Sequence, residues 1–180
     1  MWLSHPSRCL RRVGTTARTI YTIRMTSITT RCLILACGNT LRSDDGLGPW
    51  LAQWAEEKFL SNPEIRVLNR QQWTPDLSEE IACSESVLFI DCSAESAPGE
   101  IRLFPVEPSA PKDGLATHHS GAPELLALGL ELYNSLPSHA LMLTIGAGST
   151  ELGERFSEAV TAALPAACKA IEETVLQWLG

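Results

Sequence analysis

Short runs of apolar residues, separated by stretches in which apolar positions recur every three or four residues, set the rhythm of the chain. Residues 32–37 (Cys-Leu-Ile-Leu-Ala-Cys) and the Val87-Leu88-Phe89-Ile90 core of 86–92 are unbroken apolar runs bounded by turn formers, the form of strands buried on both faces of a parallel sheet. Residues 141–145 read the same way, and 64–69 alternate through Ile65 and Val67 as a second strand. In 100–106 Ile101 and Leu103 alternate with Arg102, and Pro105 lacks an amide N–H, which predicts an exposed antiparallel edge strand. Helical spacing predicts a helix over 47–60 with Leu47, Trp50, Leu51, Trp54 and Ala55 inward, and a short one over 75–83 capped by Thr74. Further helices are expected over 123–136, with Leu125, Leu126, Leu132 and Tyr133 inward, and over 154–179, with a stripe from Phe156 through Val160, Ala163, Ala167 and Ile171 to Val175. Strands and helices alternate. The expected fold is therefore α/β, a three-layer sandwich in which helices cover both faces of a mainly parallel, five-stranded twisted sheet with one antiparallel edge strand.

A length of 180 residues suits one domain with a proper core. An apolar content of 44% suits a soluble protein, and no stretch approaches the roughly 18 apolar residues of a membrane span, so no membrane association is expected. Charge is uneven. Seven arginines and no acid precede Asp44, whereas residues 25–180 carry 9 basic and 21 acidic side chains, a formal charge of −12. Such a body repels nucleic acid. Residues 1–24, rich in Arg, Ser and Thr and without periodicity, have the composition of an organelle transit peptide. We favour a rival reading in which Met25 is the true start, because 25–31 forms a short polar lead into the first strand; either way the domain is 25–180. The six cysteines form no C-x-x-C pair and no secretory apolar segment accompanies them, which points to reduced, mostly buried thiols in the cytoplasm.

The chemistry gathers where the first strand ends. Gly38 and Asn39 turn the chain, and Ser43, Asp44 and Asp45 follow just ahead of the first helix. Capping of that helix accounts for one acid; a second beside it, at the carboxyl end of a central strand, sits where open α/β sheets bind ligands. Asp91 ends the third strand in the same manner. Right-handed crossovers put both strand ends on one edge, and the segment carrying His118 and His119 enters from that side. Two carboxylates and an imidazole suit a divalent transition metal, resident or brought by a partner. Cys37 and Cys92 flank the same cleft, so a cysteine nucleophile with His118 as base is a competing reading.

The run Gly38-Asn39-Thr40-Leu41-Arg42-Ser43-Asp44-Asp45-Gly46-Leu47-Gly48 resembles the G-N-x-L-x-x-D-[DE]-G-x-G signature of the hydrogenase maturation proteases. Thr74-Pro75-Asp76-Leu77, Val87 to Asp91, and Thr117-His118-His119 ahead of Glu124-Leu125-Leu126 agree in order. The resemblance implies an aspartic-type endopeptidase that cuts a C-terminal extension from the large-subunit precursor of a nickel-iron hydrogenase after nickel insertion. It implies further that Asp45, Asp91 and His118 meet the nickel, which is carried by the precursor and is not a permanent cofactor. Gly38, Asn39, Asp44 and His119 are the neighbours expected to touch the substrate, and His119 is the alternative ligand to His118.

Two other classes of function compete: a non-catalytic metal-dependent binding protein or chaperone of the same fold, and an unrelated hydrolase such as one acting on peptidyl-tRNA, which the acidic body disfavours. Nothing in the sequence demands self-association, so a monomer is expected. N-terminal sequencing of the protein made from its native gene is expected to read from Met25; an intact Met1 would overturn that start.

Overall fold

The computed structural model describes residues 30–109 and 121–180. The segment 1–24 and the histidines His118 and His119 lie outside the described residues. Five strands, β1 (Thr30–Cys37), β2 (Ile65–Arg70), β3 (Ser84–Ser93), β4 (Ile101–Pro105) and β5 (His139–Gly146), form one sheet in the order β2-β1-β3-β5-β4. All neighbours are parallel except β4, which pairs antiparallel with β5 at the edge. Helices α1 (Leu47–Lys58), α2 (Leu77–Ala82), α3 (Ala122–Tyr133) and α4 (Glu158–Leu179) complete the architecture.

The side-chain period of two divides each central strand between two cores. Cys32, Ile34 and Ala36 of β1, with Leu88 and Ile90 of β3, meet Leu51 and Ala55 of α1 and Val160, Ala167 and Ile171 of α4. Leu33 and Leu35, with Val87 and Phe89, meet Leu77 and Ile81 of α2 and Leu125 and Leu126 of α3. Both faces of β1 and β3 are thus dry, which is why those strands are written without polar alternation. The three layers and the antiparallel edge strand are as the pattern predicted.

Several local expectations are corrected. Trp50 is 39% exposed and Leu132 60% exposed, each displaced from the inward stripe by smaller neighbours, Ala52 on α1 and Gly129 on α3, that let the helix approach closely. Trp73, in the segment between β2 and α2, is buried edge-on against Phe89 with ring centroids 5.5 Å apart, and its indole N–H has no hydrogen-bond partner among the described residues. Thr74 does not cap α2; Asp76 holds that position, and the Ser78 hydroxyl donates to the Pro75 carbonyl at 2.6 Å. The closing helix starts at Glu158, where the Ser157 side chain accepts from the Val160 amide, so Phe156 belongs to the loop before it. His139 opens β5 and stacks on Trp178 at 6.1 Å.

Two contacts connect this frame to the site. Arg31, on the second residue of β1, donates to the last carbonyls of α4, at Trp178 (3.2 Å) and Leu179 (3.3 Å), and so satisfies acceptors the helix leaves unpaired. At the other end of β1, a Cβ on Gly48 would lie 1.9 Å from the Cys37 carbonyl oxygen, so α1 begins in backbone contact with the strand it follows. Gly48→Ala is expected to cost about 3 kcal/mol by forcing strand and helix apart, read as a lower midpoint in urea unfolding.

Candidate active site

Strand order reverses between β1 and β3: the chain leaves β1 to build β2 on one side and later returns to build β3 on the other. Helices reached from two such neighbours lie on opposite faces, and the crevice between them opens beyond the carboxyl ends of the strands. The turn after β1 fills one side of this crevice. Gly38 has φ +147°, and a Cβ there would lie 2.0 Å from the Asp45 carbonyl oxygen, because the turn folds back until its ends touch. The Asn39 amide donates to both the backbone oxygen of Asp45 (3.1 Å) and its Oδ2 (3.0 Å), while Asn39 Oδ1 accepts from the Leu41 amide (3.0 Å). The residue pair Gly38-Asn39 therefore fixes where the Asp45 carboxylate stands.

Residues 43–46 form a single 3-10 turn, and α1 starts from Gly46 with no side-chain cap. Neither acid is a capping residue, contrary to one expectation. Their roles separate instead. Asp44 is wholly buried: its Oδ2 accepts from the Gly148 (2.7 Å) and Ser149 (2.9 Å) amides and its Oδ1 from the Ser157 amide (2.7 Å). Burial raises its pKa, but the bonds from Ser157, Ser149 and Gly148 outweigh this and hold it below the usual carboxylate range. Expected to touch substrate, Asp44 has no surface with which to do so. It ties the β1 turn to the β5–α4 loop.

Asp91, near the end of β3, pairs in register with Thr144 of β5 and accepts from the Cys92 amide at 2.8 Å. Its pKa is pushed up to about 6, by burial first and then by the negative charge of Asp45, against the opposing effect of that amide bond. The charge of Asp45, at the turn after β1, thus acts on Asp91 at the end of the neighbouring strand β3. Among the described residues neither forms an ion pair. Nor do any three His, Cys, Asp or Glu side chains among those residues group as a metal site requires. Helix α3 has Gly121 as its N-cap, and in the segment that joins it to β5 the Ser138 amide donates to the Glu85 carbonyl near the start of β3.

The thiols of Cys37 and Cys92 are both pushed up to about 12, by burial and then by the nearby carboxylates, Asp91 and Asp45 for Cys37 and Asp44, Asp91 and Asp45 for Cys92. Each is a protonated thiol at neutral pH, so the cysteine-nucleophile reading loses its reactive form. What sequence reasoning missed is the anchoring role of Gly148, Ser149 and Ser157. The Gly-Ala-Gly-Ser run after β5 signals a loop whose amides are free to bind an acid, but nothing local names Asp44 as that acid.

No protein-family profile and no curated protein matches the chain. Solved structures do. The hydrogenase maturating endopeptidase HybD of E. coli superposes with a TM-score of 0.70 at 19% identity, over 82% of this chain and 93% of that one. The [NiFe] hydrogenase maturation protease HycI of Thermococcus kodakarensis gives 0.62 at 23% identity, over 80% and 91%. The [NiFe] hydrogenase maturation protease HybD of Thermococcus kodakarensis gives 0.57 at 25%, over 80% and 98%. The chain has the fold of the hydrogenase maturation proteases, and the signature that led us to that family forms the turn that holds Asp44 and Asp45.

The two buried acids predict opposite responses to pH. Asp44, lowered in the folded state, contributes stability above its unfolded pKa and loses it as pH falls through the folded value. Asp44→Asn should thus cost about 3 kcal/mol at pH 7, because one amide donor then faces an NH₂ group, and the deficit should shrink below pH 4. Asp91 is raised from 3.8 to about 6, so its ionisation costs stability as pH rises through that window. Asp91→Asn should melt higher than wild type above pH 6 and equal to it below pH 4. Thermal unfolding of wild type and both variants from about pH 2 to 8 in metal-free buffer checks the two signs.

Proposed function

We propose that this chain is an aspartic-type endopeptidase that removes the C-terminal extension of a nickel-iron hydrogenase large-subunit precursor once nickel has been inserted. One observation carries the reading. Asp45 and Asp91 stand at the carboxyl ends of the neighbouring strands β1 and β3, the charge of Asp45 acts on Asp91, and neither forms an ion pair among the described residues. A partly buried pair of like charges is unfavourable until a cation joins it. In this reading the cation is the nickel that the precursor's own thiolates hold, so it arrives as part of the substrate. Carboxylate and imidazole donors are suited to complete a coordination sphere that thiolates began.

Asp45 is held by the Asn39 amide and Asp91 by the Cys92 amide, so both are aimed before the substrate arrives. His118 supplies the third donor. Docking of the nickel at these residues brings the scissile peptide bond to the rim. Hydrolysis then adds water oxygen to the peptide carbonyl and breaks the C–N bond; its protons pass to the departing amine and the new carboxyl group. A carboxylate of the pair takes the proton from the attacking water, or the carboxylate attacks first. A precursor without nickel lacks the group that holds the bond in place, so it stays uncut.

Supporting the setting, no helix among the described residues is long and apolar enough to cross a membrane. Among the described residues Cys32, Cys37, Cys92 and Cys168 are free thiols, in keeping with the reducing cytoplasm of this reading.

Asp45→Ala, Asp91→Ala and His118→Ala should each slow release of the C-terminal peptide from a nickel-loaded precursor by about 100-fold or more. Nickel-free precursor should release none. Mass spectrometry of the released peptide checks this, and normal processing by any two of the variants defeats the assignment. Tight binding of the nickel-loaded precursor without release would instead identify a non-catalytic chaperone.

A further inference from the structure

The site continues on the α1 side into a surface that the catalytic reading does not use. Two loops, 38–46 and 147–157, are laced edge to edge by a parallel bridge between Arg42 and Gly153. The Ser43 amide donates to the Gly153 carbonyl (2.7 Å), the Gly153 amide to the Leu41 carbonyl (3.0 Å), the Ser43 hydroxyl to the Glu151 carbonyl (3.0 Å) and Arg42 Nε to the Thr150 carbonyl (3.2 Å). Beneath them lies the buried Asp44 carboxylate with its amide bonds from 148, 149 and 157. Together the two loops form a shelf. It presents Leu41 at 57% exposure and Leu152 at 87%, and Trp50 of α1 lines a cavity with Thr40 and Ser43 on either side of Leu41 and Arg42. Each leucine immediately precedes a residue of the Arg42–Gly153 bridge, which brings their backbones near one another.

Next to them is a cavity of about 220 Å³ with Gly46 in its lining, walled by Pro49, Trp50 and Phe156 and edged by Gln53 and Glu154. Small-molecule sites usually run from about 300 to 1,000 Å³, so this volume suits a side chain better than a free ligand. Gly46 directly follows Asp45. A peptide whose scissile bond lies over Asp45 and Asp91 therefore has the shelf immediately beside it on one side, and an extended chain places every second side chain on the same face.

We infer that this shelf docks the precursor's chain next to the cut bond, an extended segment that sets one apolar side chain into the cavity beside Trp50 and lays its neighbours across Leu41 and Leu152. The inference rests on the protease reading and adds what that reading lacks, a surface that selects sequence around the cut. Exposed apolar side chains rimmed by polar groups are a mark of such contacts.

The test uses the full chain and a nickel-loaded hydrogenase large-subunit precursor. Leu41→Ser with Leu152→Ser, and separately Trp50→Gln, should lower kcat/KM for precursor cleavage by about tenfold or more, carried mainly by KM, since burial of one large apolar side chain corresponds to at least that factor. Thermal unfolding of the Leu41→Ser Leu152→Ser variant should match wild type, because both side chains are exposed, and Trp50→Gln is read by its KM-against-kcat split well below its own unfolding temperature. A photo-activatable cross-linker at position 152 should trap the precursor within its C-terminal region. Unchanged kinetics, or a cross-link mapping elsewhere, overturns the shelf while wild-type cleavage leaves the protease reading standing. Failure of wild type to cleave overturns both. Sedimentation showing a dimer that these substitutions dissociate would give the surface to a second copy and likewise overturn the proposal.

Discussion

A carboxylate with three backbone amides bonded to it, sealed from water, is the interaction on which the working rim depends. Asp44 reaches across more than a hundred residues to Gly148, Ser149 and Ser157, joining the turn after β1 to the exit of β5 and the entry of α4. Its charge is dispersed into peptide dipoles and needs no cation, which leaves its pKa low despite burial. Since Asp45 is the next residue, the clamp on Asp44 sets the height and direction from which Asp45 faces β3. The same clamp makes a firm surface of two loops that would otherwise be joined only at their edges.

The neighbouring acids show how environment, not residue type, assigns a task. Asp44 is given donors to both oxygens and becomes structural. Asp91 receives one amide, from its own successor, and looks across at a second negative charge. The result is a folded protein that tolerates an unfavourable pair at one place while a well-satisfied carboxylate lies directly beneath it. Such a pair is costly to keep, and it gains most when a cation arrives from outside. That asymmetry is the physical basis of the proposal that a metal-bearing substrate brings the missing cation.

Glycine supplies the close approaches that make the arrangement possible. Gly38 lets the turn double back onto the Asp45 carbonyl, and Gly48 lets α1 start against the Cys37 carbonyl. A side chain at either position would move the helix away from the strand, and with it the acid between them. The signature shared with the maturation proteases is therefore in large part a description of backbone packing. Within it Asn39 holds the Asp45 carboxylate through its amide and closes the turn by accepting from the Leu41 amide.

The sequence by itself determined the layer architecture, since the unbroken apolar runs at 32–37 and 87–90 have no stable place except between two covered faces, and the Arg102 and Pro105 interruptions suit only an edge. It also placed Asp45 and Asp91 at the carboxyl ends of strands expected to run parallel, while the adjacency of β1 and β3 came from the sheet order. Tertiary structure alone decided which acid would be which. Adjacent aspartates are locally equivalent, and their division into a buried clamp, Asp44, and a half-buried carboxylate, Asp45, comes from amides contributed by residues 148, 149 and 157. It likewise decided that Trp50 stays exposed while Trp73 is buried, because helical period cannot tell which of two apolar neighbours meets the sheet when a small residue offers the closer fit. Long-range hydrogen bonds and packing carry no local signature, and it is these that convert a predicted cluster of acids into a site with assigned parts.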